Sequence, residues 1–394
     1  FRMKRRAFIG ATASAAAAAA ALMVAPRFVQ PQVDPFGGAL LRVGYIGTGR
    51  QGRHHIGLAS GLPGYDIRTI CDILPFQLDE AKKLVGPGTK AVTDYRHILD
   101  DPEIDAVVIA TTFNMHAQPL MDALDAGKHV YCEKTLVKGH DQIAEVSEAI
   151  TNTDRIIQAG YQHRYSDHLQ EVARIIESGQ IGQVGKVECQ WNRNGDWRRP
   201  VPAPEFERAV NWRMYREYSG GLIAELSSHQ MDILEWVLKS RPSRIMGTGG
   251  IDFWKDGRET RDNTHLLVKY ENGVTASYTC LTNNAHEGFR MTFFGSKGTI
   301  VTSLDEAWVS SELATETVPE DIDAVSGATM VLDGVEGYRF KLDEFDAVSN
   351  ALAAFRASVF TNSKPAASAD LALSTARTVQ LSLDAMDSGS VVEF

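Results

Sequence analysis

Cysteine is scarce in this chain: only Cys71, Cys132, Cys189 and Cys280 occur in 394 residues, and no two form a Cys-x-x-Cys pair. That spacing excludes a disulfide framework and a zinc ribbon, and leaves the thiols to be buried as small apolar groups. A basic excess is missing too. Forty Lys and Arg face 50 Asp and Glu, a formal net charge of -10, so no nucleic-acid partner is expected. No group of His, Cys, Asp and Glu has metal-ligand spacing, and no metal is expected. Beyond residues 7–24 no stretch approaches the roughly 20 apolar residues of a membrane helix, so no span is expected in the rest of the chain. Internal repeats and low-complexity linkers are absent as well.

What the chain does have begins with Lys4-Arg5-Arg6-Ala7-Phe8-Ile9-Gly10 running into alanines. A twin arginine before a weakly apolar run reads as an export signal for proteins that cross the membrane already folded. Residues 1–25 are assigned to it, with an uncleaved N-terminal anchor as the alternative. Residues 26–39, rich in proline, read as an extended arm.

From Leu40 the pattern alternates. Strands are expected at 41–46, 65–71, 106–110, 129–132 and 156–159, with helices at 51–60, 75–85, 115–125 and 141–150 between them. Ala106-Val-Val-Ile-Ala110 is apolar throughout, as suits a strand covered on both faces of a parallel sheet. The expectation is a doubly wound Rossmann domain over 40–160. After it the rhythm changes to a helix at 166–178 and strands at 185–191, 244–253, 265–270, 274–280, 289–294 and 299–302. One strong helix is expected at 222–238, and two more close the chain at 342–360 and 370–386. Residues 161–394 should form an α+β domain, an open and mainly antiparallel sheet with helices on one face. Its last helices are free to return to the Rossmann domain.

The chemistry starts at Gly47-Thr48-Gly49-Arg50-Gln51-Gly52, which follows a strand and opens a helix, with Asp72 twenty residues after Gly52 at the end of the next strand. This is the context a dinucleotide turn requires. Gly47 permits the tight turn, Gly49 lets backbone approach the pyrophosphate, and Gly52 allows close helix packing. Asp72 would accept from ribose hydroxyls and repel a 2′-phosphate, which favours NAD over NADP. Thr111, Asn114 and His116 follow one buried strand and Glu133 and Lys134 the next, where open α/β sheets bind ligands. The first four of these residues join the turn as expected cofactor contacts, tightly bound NAD(H) being the cofactor.

With Ala126-Gly127-Lys128-His129-Val130-Tyr131-Cys132-Glu133-Lys134, the chain resembles the Gfo/Idh/MocA (glucose–fructose oxidoreductase / inositol dehydrogenase) family, from Leu40 to near the C-terminus. Thr135 stands where that family's motif continues with proline. A second matching segment is Gly220-Gly221 followed by Glu225, His229 and Asp232, with Glu225 in place of the family's aspartate. The resemblance implies Lys134 beside the nicotinamide and His229 as general base, with Glu225 orienting the imidazole or touching a hydroxyl. His163 and Arg164 lie in the segment that links the family's two domains. With Trp191, Trp197, Trp212 and Asp232, they are the candidate substrate contacts, since aromatics mixed with polar groups suit a carbohydrate ring.

The resulting expectation is an exported NAD-dependent oxidoreductase. It would move a hydride between bound NAD(H) and a secondary hydroxyl of a sugar, glycoside or polyol, His229 taking the proton and Lys134 polarising the reacting oxygen. A glycoside hydrolase of the NAD-using family-109 kind, working by transient oxidation and elimination, is the alternative. A non-catalytic, cofactor-bound sugar sensor is the third. A homo-oligomer, dimer or tetramer, is expected from the exposed sheet face.

Overall fold

The computed structural model describes residues 36–312, 337–342 and 346–394. The expected signal and most of the arm therefore lie outside the described residues. Residues 40–394 form one compact unit.

Its first half is a parallel sheet of six strands. These are β1 (Leu41–Ile46), β2 (Tyr65–Cys71), β3 (Lys90–Val92), β4 (Ala106–Ile109), β5 (His129–Cys132) and β6 (Ile157–Ala159), in the order β3-β2-β1-β4-β5-β6. Helices α1 (Arg50–Gly61), α2 (Pro75–Lys82), α3 (Arg96–Leu99), α4 (Ala117–Asp125) and α5 (Gly139–Thr151) fill the crossovers. All four residues of β4 are 0% exposed, which requires cover on both faces. The order reverses between β1 and β4, so the crevice at their carboxyl ends is the natural ligand site.

Helix α6 (Asp167–Glu177), capped by the Ser166 side chain, leads into a mixed sheet of nine strands. Strand β7 (Val184–Asn194) is its centre, and the short α7 (Glu207–Val210) follows it. A helix begins near Leu222 as expected, but Ile223–Ser227 is a π turn and regular α8 runs only from Ser228 to Leu238. Strands β8 (Pro242–Gly250), β9 (Asn263–Tyr270), β10 (Thr275–Leu281), β11 (Asn283–Gly295), β12 (Gly298–Thr302), β13 (Glu306–Ser311), β14 (Gly337–Lys341) and β15 (Val392–Glu393) complete the sheet. Its order is β14-β13-β12-β11-β7-β10-β9-β8-β15. Every pair is antiparallel except β7 with β10. In β9, Thr264, Leu266, Val268 and Tyr270 are buried and the residues between them are not, the period-2 mark of one covered face.

Helices α9 (Ala347–Thr361) and α10 (Ala369–Ser388) return to the parallel sheet. Asp346 caps α9 by accepting from the amides of Val348 and Ser349, so the helix starts five residues later than the expected 342. Val348, Ala351, Leu352 and Phe355, at helical spacing, join the same core as Tyr131 and Val130. Gln158 Nε2 donates to Ala351 O (2.8 Å) and Tyr65 Oη to Leu352 O (2.6 Å). All four cysteines are buried and free. Among the described residues no helix is long and apolar enough to cross a membrane, and no group of three or more His, Cys, Asp or Glu could hold a metal.

Candidate functional site

The glycine-rich turn is fixed by sterics. Gly47 has φ +93°, and a Cβ there would lie 2.6 Å from Ala110 O. A Cβ on Gly52 would run into Gly47 O, whereas one on Gly49 would meet nothing within 4 Å. Two glycines are thus demanded by close backbone, and the third faces open space at the start of α1, where a pyrophosphate meets helix amides. Thr48 is buried and donates to Asp72 Oδ2 through its amide (2.7 Å) and its hydroxyl (3.2 Å), while Leu74 N donates to Oδ1 (2.9 Å). These bonds hold a carboxylate just past β2 with no cation paired to it among the described residues, a fit for ribose hydroxyls and a poor one for a 2′-phosphate. The turn fits NAD.

Beneath it, Gln51 Nε2 donates to Glu133 Oε1 (3.1 Å), which also lies 3.0 Å from His55 Nε2. Burial works against the Glu133 carboxylate, but His55, Lys134 and Gln51 outweigh it and hold its pKa below the usual value. The loop after β4 is tied down likewise. Thr111 Oγ1 donates to Met115 O (3.0 Å), and Asn114 N donates to Tyr218 O (3.3 Å), across to the second sheet's side of the chain. His116 is buried, its Nδ1 donates to Thr135 O (2.9 Å), and burial lowers its pKa, so one side of the ring positions the Lys134-Thr135 turn.

Lys134 lies two residues past β5, and its Nζ donates to Glu225 O (2.9 Å) in the π turn. The Lys134–Thr135 peptide is cis, and Thr135 Oγ1 donates to Ala224 O (3.1 Å). One turn further along, His229 is 4% exposed, with its ring 4.8 Å from the His163 ring, 5.5 Å from Trp191 and 6.0 Å from Tyr161. His229 Nδ1 and His163 Nε2 are both buried without a hydrogen-bond partner. Burial, then Lys134, His163 and Arg193, push the His229 pKa well below its ordinary value. Burial and Lys134 push His163 down to about 4. Both imidazoles are therefore neutral at neutral pH and able to accept a proton.

Three expected contacts are corrected. Arg164 and Asp232 are both buried and bind each other: Arg164 Nε and Nη2 each donate to Asp232 Oδ1 (3.0 and 2.9 Å). A buried ion pair of this kind spends its hydrogen-bonding capacity internally, which leaves neither residue for substrate. Glu225 does not orient His229. Its Oε2 accepts from Arg213 Nε (2.7 Å), and although burial opposes the charge, Arg213 and Lys134 keep its pKa low. The π turn accounts for this, since its wider winding breaks the four-residue phase that would stack 225 over 229. Trp212 lies under the Arg213 guanidinium (4.2 Å), and Trp197, with φ +67°, packs beside Leu222, Leu226 and Cys280. Of the three tryptophans, Trp191 has its ring against His229.

Arg193 and Arg213 are the residues that sequence reasoning passed over. Arg193 lies over the Trp191 ring (5.6 Å), and each arginine belongs to a segment in which sequence reasoning named the tryptophans, and not the arginine, as candidate contacts.

Residues 41–161 match the model of an oxidoreductase family with an NAD-binding Rossmann fold, and residues 169–301 that of the GFO/IDH/MocA C-terminal domain. The myo-inositol 2-dehydrogenase of Thermotoga maritima is 24% identical over 266 residues, 66% of this chain and 74% of that protein. The levoglucosan dehydrogenase of Pseudarthrobacter phenanthrenivorans is 25% identical over 293 residues, 66% of this chain and 73% of that protein. Among solved structures, levoglucosan dehydrogenase in complex with NADH and L-sorbose superposes with a TM-score of 0.73 at 19% identity, covering 90% of this chain and 99% of that one. Scyllo-inositol dehydrogenase from Lactobacillus casei with NAD(H) and scyllo-inositol gives 0.69 at 21% identity, covering 90% and 99%.

Proposed function

The chain belongs to the Gfo/Idh/MocA oxidoreductase family, and from that premise we propose that it oxidises a secondary alcohol of a sugar, glycoside or polyol. NAD is its cofactor, and when bound it supplies the hydride acceptor. Gly47, Gly49, Gly52 and the first turn of α1 would hold the pyrophosphate, and Asp72 the adenosine ribose. The neutral His229 imidazole accepts the hydroxyl proton. Lys134, with one ammonium hydrogen given to Glu225 O, keeps two for the reacting oxygen and the charge that develops on it. Trp191 offers an apolar face to the ring.

The observation that carries this reading is the meeting of Lys134 with two buried neutral imidazoles at the carboxyl end of the parallel sheet. Loading the protein with NAD+ and screening neutral and acidic sugars and polyols for NADH absorbance tests it, with aryl-glycoside cleavage followed in parallel. Reduction of NAD+ supports a dehydrogenase. Cleavage without net reduction would replace that reading with the hydrolase, and binding without either would replace it with the sensor.

The same proposal includes export through the twin-arginine signal with NAD(H) loaded beforehand and tightly held, supported by Lys4-Arg5-Arg6 ahead of the alanine run. Arg5→Lys with Arg6→Lys is expected to keep the protein inside the cell, as fractionation would show. It also includes self-association through the open sheet. Met246 and Leu267, register partners on β8 and β9, are 40% and 44% exposed, an apolar pair that a second copy would cover. Sedimentation would show a single monomeric species if this is wrong.

A further inference from the structure

In a protein of net charge -10, the cleft beside His229 is rich in cations. Arg50 opens α1, Lys134 follows β5, Arg193 lies near the end of β7, Arg199 follows it, and Arg213 precedes the π turn. Glu225 answers Arg213 (2.7 Å). Among the described residues Arg50, Arg193 and Arg199 have no ion pair. Arg193 is reached by solvent, and desolvation, Arg213 and Arg50 hold its pKa below the usual arginine value. Desolvation, Arg50 and Arg213 do the same to Arg199. Each of these cations disfavours the charge on the others, and an anion placed among them would offset it.

Arg50 lies at the phosphate turn and has the pyrophosphate to face. Arg193 is placed differently. Its guanidinium lies 5.6 Å above Trp191 and 6.0 Å from Trp197, and the Trp191 ring is 5.5 Å from His229. Stacking fixes the guanidinium's plane but leaves its hydrogen-bond donors unused, the geometry that suits a bidentate carboxylate or phosphate. Arg199 shares both of Arg193's cationic neighbours, Arg50 and Arg213, and its backbone is pinned: its amide donates to Asn211 Oδ1 (2.8 Å) and its carbonyl accepts from Asn211 Nδ2 (3.0 Å).

Resting on the dehydrogenase reading, we propose that the substrate is an acidic sugar, whose carboxylate or phosphate is received by Arg193 with Arg199 beside it. The anion holds one end of the ring over Trp191 while the hydroxyl to be oxidised lies between His229 and Lys134.

The test compares NAD+-loaded protein on D-glucose, D-glucuronate and D-glucose 6-phosphate, and on D-galactose and D-galacturonate. Wild type is expected to prefer at least one acidic sugar over its neutral counterpart by about tenfold or more in kcat/KM, a preference that falls as salt rises. Arg193→Met should cut that ratio by about 10- to 100-fold and Arg193→Lys by less, with NADH affinity, read by fluorescence titration, unchanged. Tryptophan quenching of the NADH-loaded protein by the acidic sugar should weaken in the same order. Preference for the uronate identifies a carboxylate and preference for the phosphate ester a phosphate, and either supports the proposal. If neutral sugars are oxidised as well as acidic ones, the dehydrogenase stands and the acidic substrate falls. If Arg193→Met weakens NADH binding and leaves sugar preference alone, the arginine serves the cofactor and the proposal is overturned. If no sugar of either kind reduces NAD+, both readings fall together.

Discussion

The glycine-rich turn and the wall around His229 both follow the carboxyl ends of the parallel strands but are built in different ways. The turn spans 47–52 plus Asp72, and its polar groups are partnered at home: the Thr48 amide and hydroxyl on Asp72, the Gly47 amide on Cys71 O. The wall draws Lys134, His163, Trp191, Arg193, Glu225 and His229 from four stretches of chain, and among the described residues it leaves His229 Nδ1 and His163 Nε2 buried and unpartnered. The first is a mould made by backbone sterics. The second keeps chemical capacity in reserve, at the cost of stability that unmet buried polar groups carry.

Breaking the wall should therefore stop chemistry and spare the turn. His229→Ala and Lys134→Ala are each expected to lower kcat by about 10²–10⁴ with NAD affinity unchanged, as steady-state rates and cofactor titration would show. Turnover near that of the wild type in either variant would remove that residue from the reaction. Asp232→Asn should separate the wall from its foundation. It leaves Arg164 buried without its charge partner, so about 3–5 kcal/mol of unfolding free energy is expected to be lost, measured by denaturant titration.

Breaking the turn should alter cofactor choice and leave the chemical step intact. Asp72→Ala removes the ribose acceptor, and preference for NAD over NADP is expected to drop by about tenfold or more, read as a ratio of dissociation constants. A wild type that binds both equally would show that Asp72 does not discriminate. The smallest effect is in pH. Because His163 and His229 titrate lower folded than unfolded, the unfolded chain binds more protons below their ordinary value of 6.5. Stability is full above that value and is expected to decline as pH falls from 6.5 toward 4, visible as a falling melting temperature. The acid limb of the alcohol-oxidation rate should likewise lie below 6.5, since His229 stays neutral there.

The turn was readable from sequence because everything it needs is local: three glycines, a strand before and an acid after. The apolar run of β4 announced the parallel sheet for the same reason. Short or edge strands escaped. β3 has three residues, and β13, β14 and β15 lie at or near the ends of the second sheet, where alternation is weak. The pairing of Arg164 with Asp232 spans 68 residues, and no local pattern encodes it. The π turn left no signal either. A helix period predicted Glu225 above His229, and one wider turn sent Glu225 to Arg213 instead.

That turn has a mechanical side. Winding at five residues per hydrogen bond leaves the carbonyls of Ala224 and Glu225 available, and Thr135 and Lys134 take them up from the parallel-sheet side. The two contacts work as a latch between the element that carries the lysine and the one that carries the histidine. Drawing the two elements apart would break both bonds, so the 2.9 Å from Lys134 Nζ to Glu225 O measures how closely they are joined.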